Sequence, residues 1–372
     1  MNELNCLPQD TVAWGHGVLG QPGMAVLERH GLRRPMLFTV EPLLPLSRQA
    51  VEPMVPDAVG TFSALPPHVP DTAVAAALDA CLQREAGSIV ALGGGSVLDA
   101  AKAVSHLHHQ RTGRYLPIAA LPTTLSGSEF SHYFGITETS GARKFKRSHA
   151  VRETTPRVVL MDPHLILDTP RSLLLSSAIK SIDHAVEGMR LVGRDHPHAI
   201  VAASGVARFL DVLARWPAVQ ETRAAVQAGL ITMDDLLQLQ LGAWQCYFFP
   251  ASVIYGLSHR IGHILGGTFG LPHSATSCIT LAPVIRACAG FYGDKLEVFS
   301  ARKGAAAAQD LADRIAGTVA ALGLPCRLRD FDLEPAAVAQ VAALLQENYP
   351  KEVADLGENA GRRLVALLES LA

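Results

Sequence analysis

Ser88-Ile89-Val90-Ala91-Leu92-Gly93-Gly94-Gly95-Ser96-Val97-Leu98-Asp99-Ala100-Ala101-Lys102 is the stretch that decides the fold. Five residues, Ser88–Leu92, read as a buried strand. Three glycines and a serine then open a run with apolar residues at helical spacing, Val97–His106. Residues without a side chain let backbone N–H groups approach an anion at a helix N-terminus, where the helix dipole also favours negative charge. Gly93, Gly94, Gly95 and Ser96 are therefore read as a diphosphate loop rather than an ordinary turn.

The same alternation extends on both sides. A helical run at Pro22–His30 precedes a strand at Met36–Val40, and Thr72–Arg84 again has helical spacing. Ile118–Leu121 and Arg157–Met161 are further strands, the latter closed by Asp162-Pro163. Strands alternating with helices predict a parallel α/β sheet. Pro122-Thr123-Thr124-Leu125-Ser126-Gly127-Ser128 is a hydroxyl-rich loop at a strand end, the side of such a sheet where ligands bind. Gly15-His16-Gly17-Val18-Leu19-Gly20 also matches GxGxxG, with Glu41 lying 21 residues beyond Gly20. Thr11–Trp14 before it is too short and polar for the buried strand that motif requires, so the loop at Gly93 is preferred.

After Thr169 strand signals nearly vanish. Leu173–Val192, Ala199–Trp216, Met233–Leu257, Ala308–Leu322 and Pro335–Glu347 read as helices. The expected organisation is an α/β Rossmann-like nucleotide-binding domain over residues 1–168 and an all-α domain over 169–372. Ligands of such two-part chains usually lie between the parts.

Composition excludes several classes. The chain has 372 residues, with 32 Lys plus Arg against 34 Asp plus Glu, so it lacks the basic excess of a nucleic-acid binder. No apolar run reaches the roughly 18–20 residues of a membrane span. Met1–Asp10 has neither a basic nor an apolar leader segment, and the six cysteines form no CxxC pair, so a cytoplasmic location is expected. The 15 histidines are distributed unevenly. His259 and His263 are four apart and share a helix face, which Gly266-Gly267 is expected to end. His273 follows on a turn bounded by Gly and Pro, and His184 is a fourth candidate. Three imidazoles can close around one centre at this spacing, which favours a functional site over core histidines.

Together these residues resemble the iron-containing (group III) alcohol dehydrogenase superfamily, and within it the maleylacetate reductase branch. The likeness covers nearly the whole chain. Gly93–Ser96 with Asp99 and Lys102 resembles the family's diphosphate loop, and Leu121–Thr124 with Ser126–Glu129 its second cofactor loop. Asp162-Pro163 resembles the crossover into the helical domain. His259-Arg260-Ile261-Gly262-His263 through Leu271-Pro272-His273 is the most specific stretch. The resemblance implies a dehydroquinate synthase-like architecture. It also implies an NAD or NADP cofactor held by Gly93, Gly94, Gly95, Ser96, Asp99, Thr123, Thr124, Ser126, Ser128 and Glu41. Glu41, acidic after its strand, weakly disfavours a 2′-phosphate.

Metal-binding relatives use an Asp, a His four residues later and two His fourteen apart. His184, His259 and His273 match the histidines, and His263 matches a cleft His linked to substrate contact or proton relay. Lys180 stands where the Asp should be, and Asp183 does not face the same way. Maleylacetate reductases also lack that Asp. An ammonium beside imidazoles repels a divalent cation. The expectation is that no metal binds and that Lys180 takes its place, polarising a carbonyl or holding a carboxylate. Two readings stay open, a Lys180 pointing to solvent from a degenerate site and a metal held by His184, His259 and His273.

The expected catalytic set is His263, Lys180, His259, His273 and His184. The expected reaction is NAD(P)H-dependent reduction of an oxo group or enone-type bond in a small carboxylic acid, in a homodimer with neither nucleic acid nor membrane as partner. Tyr247, Phe248 and Phe249, and the Arg194-Asp195-His196-Pro197 segment, depart from the relatives, so the substrate is expected to differ from maleylacetate itself. Non-redox lyase or isomerase chemistry, or nucleotide binding without activity, are the alternatives.

Overall fold

The computed structural model describes residues 3–139, 145–331, 333 and 336–372. Contacts divide the chain into two compact units, Met1–Thr169 and Pro170–Ala372.

The first unit is built on a six-stranded parallel sheet. Its strands are β1 (Thr11–Trp14), β2 (Pro35–Phe38), β3 (Gly60–Phe62), β4 (Ser88–Gly93), β5 (Ile118–Pro122) and, beyond a hairpin, β8 (Val158–Met161), in the order β1-β8-β5-β4-β2-β3. Strands β4, β5 and β8 are buried along their length, as continuous apolar runs in a parallel sheet must be. Helices α1 (Gln21–Arg29), α2 (Asp71–Gln83) and α3 (Gly95–Thr112) connect them. The antiparallel hairpin β6 (Tyr133–Glu138) and β7 (Phe145–Ala150) forms a separate two-stranded sheet.

Three departures from the sequence reading have local causes. Thr11–Trp14 is a strand after all, but an edge strand with Trp14 exposed, so it never needed the apolar run of a buried one. β3 is three residues long, and the hairpin carries mixed polar residues. Neither has a period that stands out.

The second unit is helical: α4 (Arg171–Glu187), α5 (Pro197–Leu213), α6 (Met233–Cys246), α7 (Leu257–Phe269), α8 (His273–Ala287), α9 (Ala305–Ala321), α10 (Ala336–Asn348) and α11 (Ala360–Ser370), with shorter turns between. The expected helix Met233–Leu257 ends at Cys246, as α6, and the next helix, α7, begins only at Leu257. A non-helical segment containing Pro250, which has no N–H to donate, separates them. Gly266-Gly267 does not end α7. The helix runs on to Phe269 and stops at Gly270, whose φ of 74° is the left-handed cap position. His273 begins α8 instead of lying on a turn. The glycines inside α7 serve its packing on α8: a Cβ on Gly262 would come within 2.7 Å of Thr276 Oγ1. The expected helix at Pro335–Glu347 is α10, and Pro335 lies outside the described residues, as do Met1 and Asn2 of the expected leaderless terminus. Among the described residues no helix is long and apolar enough to cross a membrane.

Candidate active site

In the first unit the glycine loop joins the end of β4 to the start of α3. Gly94 is the N-cap of α3, and no side chain caps it; the Val97 amide turns back to the Gly94 carbonyl at 3.0 Å, and the amides before it are the ones an anion could meet. The parallel register sets Gly93 beside Pro122, and the Thr123 amide donates to the Gly93 carbonyl at 3.1 Å. This brings the second loop against the first. A Cβ on Gly94 would meet Thr124 Cγ2 at 2.8 Å, and one on Gly95 would meet Ser126 Oγ at 3.3 Å. Thr124 and Ser126 hydroxyls pair at 3.1 Å. The structure thus gathers Gly93–Ser96, Thr123, Thr124 and Ser126, and the uncapped helix end fits a diphosphate. Glu41 lies exposed just after β2, the strand next to β4.

Asp99 and Ser128 have an internal occupation. Ser128 Oγ donates to Asp99 Oδ1 at 2.6 Å, and the Gly135 amide donates to Asp99 Oδ2 at 3.2 Å. The fully buried Lys102 ammonium donates to Ser128 Oγ (2.7 Å), Ser128 O (2.9 Å) and Tyr133 O (2.6 Å). This network pins the second loop and the hairpin to α3. The competing Gly15–Gly20 loop is closed by the chain's own anion. Gly17 and Leu19 amides donate to Asp162 Oδ2 at 2.9 and 3.3 Å. Those amides would be the phosphate donors of a GxGxxG loop.

In the second unit the histidines converge from α4, α7 and α8. His259 Nε2 and His263 Nε2 are 3.0 Å apart, as i, i+4 neighbours on α7. The His273 ring lies 5.2 Å from that of His263 and 5.8 Å from that of His259, and its Nδ1 faces the Gly262 carbonyl at 3.3 Å. One ring nitrogen from each of His259, His263 and His273 lies within 4.8 Å of the others. This trio differs from the expected metal set, because His263 replaces His184. The His184 ring is stacked on Tyr247 at 4.0 Å, and its buried Nδ1 has no hydrogen-bond partner.

Lys180 does not point to solvent. Its side chain is 2 % exposed; Nζ donates to Asp183 Oδ2 at 2.8 Å and to His259 Nδ1 at 3.0 Å. Asp183, which does not replace the missing ligand, is the counterion of the ammonium. Ser258 Oγ donates to its other oxygen at 2.6 Å. Burial pushes the Asp183 carboxyl up, but Lys180 and Ser258 outweigh it and hold it below its ordinary value. Burial, then the Lys180 charge, holds both His259 and His184 well below theirs, so both rings are neutral. The acid of the family's metal site is thus replaced by a cation, and His184, though its ring lies 5.3 Å from that of His259, is not among the histidines whose nitrogens come within 4.8 Å of one another. The residues present do not fit the family's metal.

Two residues escaped the sequence reading. Tyr255 stacks on His259 at 4.8 Å, whereas Tyr247 covers His184. Glu187, one turn beyond Asp183 and fully buried, accepts from the His259 amide at 3.3 Å and from Tyr292 Oη at 2.7 Å. It satisfies the N-terminus of α7, whose N-cap Gly256 has no side chain to do so. A Cβ on Gly256 would meet Glu187 Oε2 at 2.8 Å, which couples the two positions. Glu187 lies three residues from His184 in the sequence, but nothing there marks it as a cap for a distant helix.

The family model described as iron-containing alcohol dehydrogenase matches residues 10–163, and that of the C-terminal part of the Fe-containing family matches residues 248–355. A maleylacetate reductase from Pseudomonas aeruginosa is 33% identical over 325 residues, 87% of this chain and 86% of the relative. The structure of an iron-containing alcohol dehydrogenase from Corynebacterium glutamicum superposes with a TM-score of 0.82 at 25% identity, covering 100% of this chain and 96% of that one. Sulfoacetaldehyde reductase from Bifidobacterium kashiwanohense, solved in complex with NAD+, gives a TM-score of 0.80 at 20% identity, covering 100% and 99%. With a parallel sheet, a helix N-terminus that no side chain caps and a helical unit carrying the histidine cluster, the chain belongs to the iron-containing alcohol dehydrogenase family of NAD(P)-dependent oxidoreductases.

Proposed function

We propose that this chain reduces an oxo group, or an enone-type double bond, of a small carboxylic acid with NAD(P)H, and does so without a metal. The observation that carries the reading is the buried Lys180–His259 hydrogen bond at the position where relatives place an acid. The maleylacetate reductase relatives supply the substrate class.

The nicotinamide cofactor supplies the hydride. The amides at the start of α3, within Gly93–Ser96, would hold its diphosphate, with Thr123, Thr124 and Ser126 alongside. Glu41 favours an unphosphorylated ribose, hence NADH over NADPH. Charge growing on the substrate oxygen is answered by a proton. His263, half-buried at the outer end of the cluster, donates it and regains one at Nε2 from His259 Nε2–H. His259 in turn takes a proton at Nδ1 from the Lys180 ammonium, so that neither ring is left anionic, and the lysine regains its proton from solvent between turnovers. With its ammonium bonded to Asp183 and His259 behind the ring, Lys180 acts through His259 and not on the substrate directly. His273, oriented through Gly262, is placed to contact the oxygen or a carboxylate.

The test is a titration with NADH and NADPH, followed by turnover on short oxo acids. Quenched cofactor fluorescence with cofactor oxidation supports the reductase. Quenching without turnover on any oxo or enoic acid favours a binder, and no binding favours non-redox chemistry.

A further inference from the structure

We infer that Lys180 locks His259 in the tautomer that cannot bind a metal, and that removing its ammonium opens a three-histidine cation site at His259, His263 and His273. The argument is one of donors and lone pairs. An ammonium has three donors and no lone pair. At 3.0 Å from Lys180 Nζ, His259 Nδ1 must therefore offer its lone pair. A ring with a lone pair on Nδ1 carries its hydrogen on Nε2. That N–H points at His263 Nε2, 3.0 Å away, and donates to it. A nitrogen that carries hydrogen is not a ligand. A cation on His259 Nε2 would force the hydrogen onto Nδ1, directly against the ammonium, two donors facing each other. Ammonium and metal thus compete for one tautomer.

The remainder of the cluster is already arranged for a cation. His273 Nδ1 faces the Gly262 carbonyl at 3.3 Å, which leaves its Nε2 with the lone pair. Tetrahedral coordination with metal–nitrogen bonds of about 2.0–2.1 Å separates ligand nitrogens by roughly 3.3 Å. One ring nitrogen of each histidine already lies within 4.8 Å of the others, so ring rotations and small shifts reach this spacing. Asp183 Oδ2 lies 3.6 Å from His259 Nδ1. Without the lysine it becomes the acceptor for Nδ1–H, completing a carboxylate–histidine–metal arrangement. This set uses His263 and not His184, which is held against Tyr247.

The test is Co²⁺ titration of the metal-stripped full chain, read by the visible d–d bands of the bound ion, with Zn²⁺ calorimetry beside it. Lys180→Met should bind one equivalent roughly 100-fold more tightly than the wild type. Adding His263→Ala should abolish this, and adding His184→Ala should not. Should Lys180→Met fold poorly, Lys180→Met with Asp183→Asn removes both charges and keeps an amide oxygen to accept from Nδ1–H, so binding weaker than that of Lys180→Met but tighter than that of the wild type is expected. A folded variant that binds no Co²⁺, or binding that survives His263→Ala, overturns the inference. It rests on the metal-free reading above, and the two fail separately: tight Co²⁺ binding by the wild type refutes both, whereas a variant that binds nothing leaves the metal-free reductase standing.

Discussion

Replacing Asp183 by Ala strands the Lys180 ammonium where water cannot reach it. The lysine side chain is 2 % exposed and the aspartate fully buried, with Nζ and Oδ2 2.8 Å apart. Removing one member of a buried ion pair costs about 3–5 kcal/mol, because the other charge is left uncompensated. Ser258 loses its carboxylate but keeps Thr280 Oγ1 at 2.8 Å, so it adds little. In a unit of about 200 residues each kcal/mol moves Tm by roughly 2–4 °C, so the melt should fall by about 6–20 °C. Removing both charges with Lys180→Met and Asp183→Leu should cost less than about 1.5 kcal/mol, because apolar residues of similar volume replace a pair that was expensive to desolvate. Urea unfolding followed by fluorescence measures this, since Trp216 and Trp244 both lie in the helical unit. A double-mutant cycle closed with Lys180→Met and Asp183→Leu as the single variants then gives the coupling. An Asp183→Ala chain within 1 kcal/mol of wild type, or additive single and double changes, would refute the reasoning.

Burial, and then the Asp183 charge, pushes the Glu187 carboxyl from its ordinary 4.5 up to about 8. Between those values the folded chain holds a proton that the unfolded chain has lost, so stability should fall as pH rises through this window, and Glu187→Gln should flatten the slope in pH-dependent melts. His198, its ring buried and pushed down to about 4, acts on the acid side: stability present above pH 6.5 should be lost as pH falls towards 4. Gly94→Ala sets a Cβ 2.8 Å from Thr124 and should raise the NADH Kd at least about 10-fold with little change in Tm; unchanged affinity would remove this loop from the cofactor site. Lys102→Met leaves Asp99 its bonds from Ser128 and Gly135 but removes the donor to the Ser128 and Tyr133 carbonyls, frees the second loop, and should lower both Tm and NADH affinity.

What the sequence discloses tracks how local the physics is. The strands β2, β4, β5 and β8 were legible because burial on both faces demands continuous apolar runs. The glycine loop was legible because only an unusual backbone demand explains three glycines in a row. The edge strand β1 and the hairpin β6/β7 were hidden because neither needs a distinctive pattern. In the histidine cluster, helical spacing paired His259 with His263, but the sequence could not say that His184, stacked on Tyr247, stays beside His259 without joining the nitrogen trio. Lys180 stood out as an oddity. Its burial and its bond to Asp183, three residues along the same helix, depend on the helices packed around it. Glu187 capping α7 from α4, and Asp162 filling the Gly17 and Leu19 amides from the end of the neighbouring strand β8, are tertiary facts with no local signature.

The most direct test of the account is NADH oxidation on a short oxo acid before and after exhaustive chelation, with metal content measured on the same protein. The account predicts undiminished turnover with no stoichiometric Fe or Zn. Loss of activity on chelation, restored by adding Fe²⁺ or Zn²⁺, would contradict it.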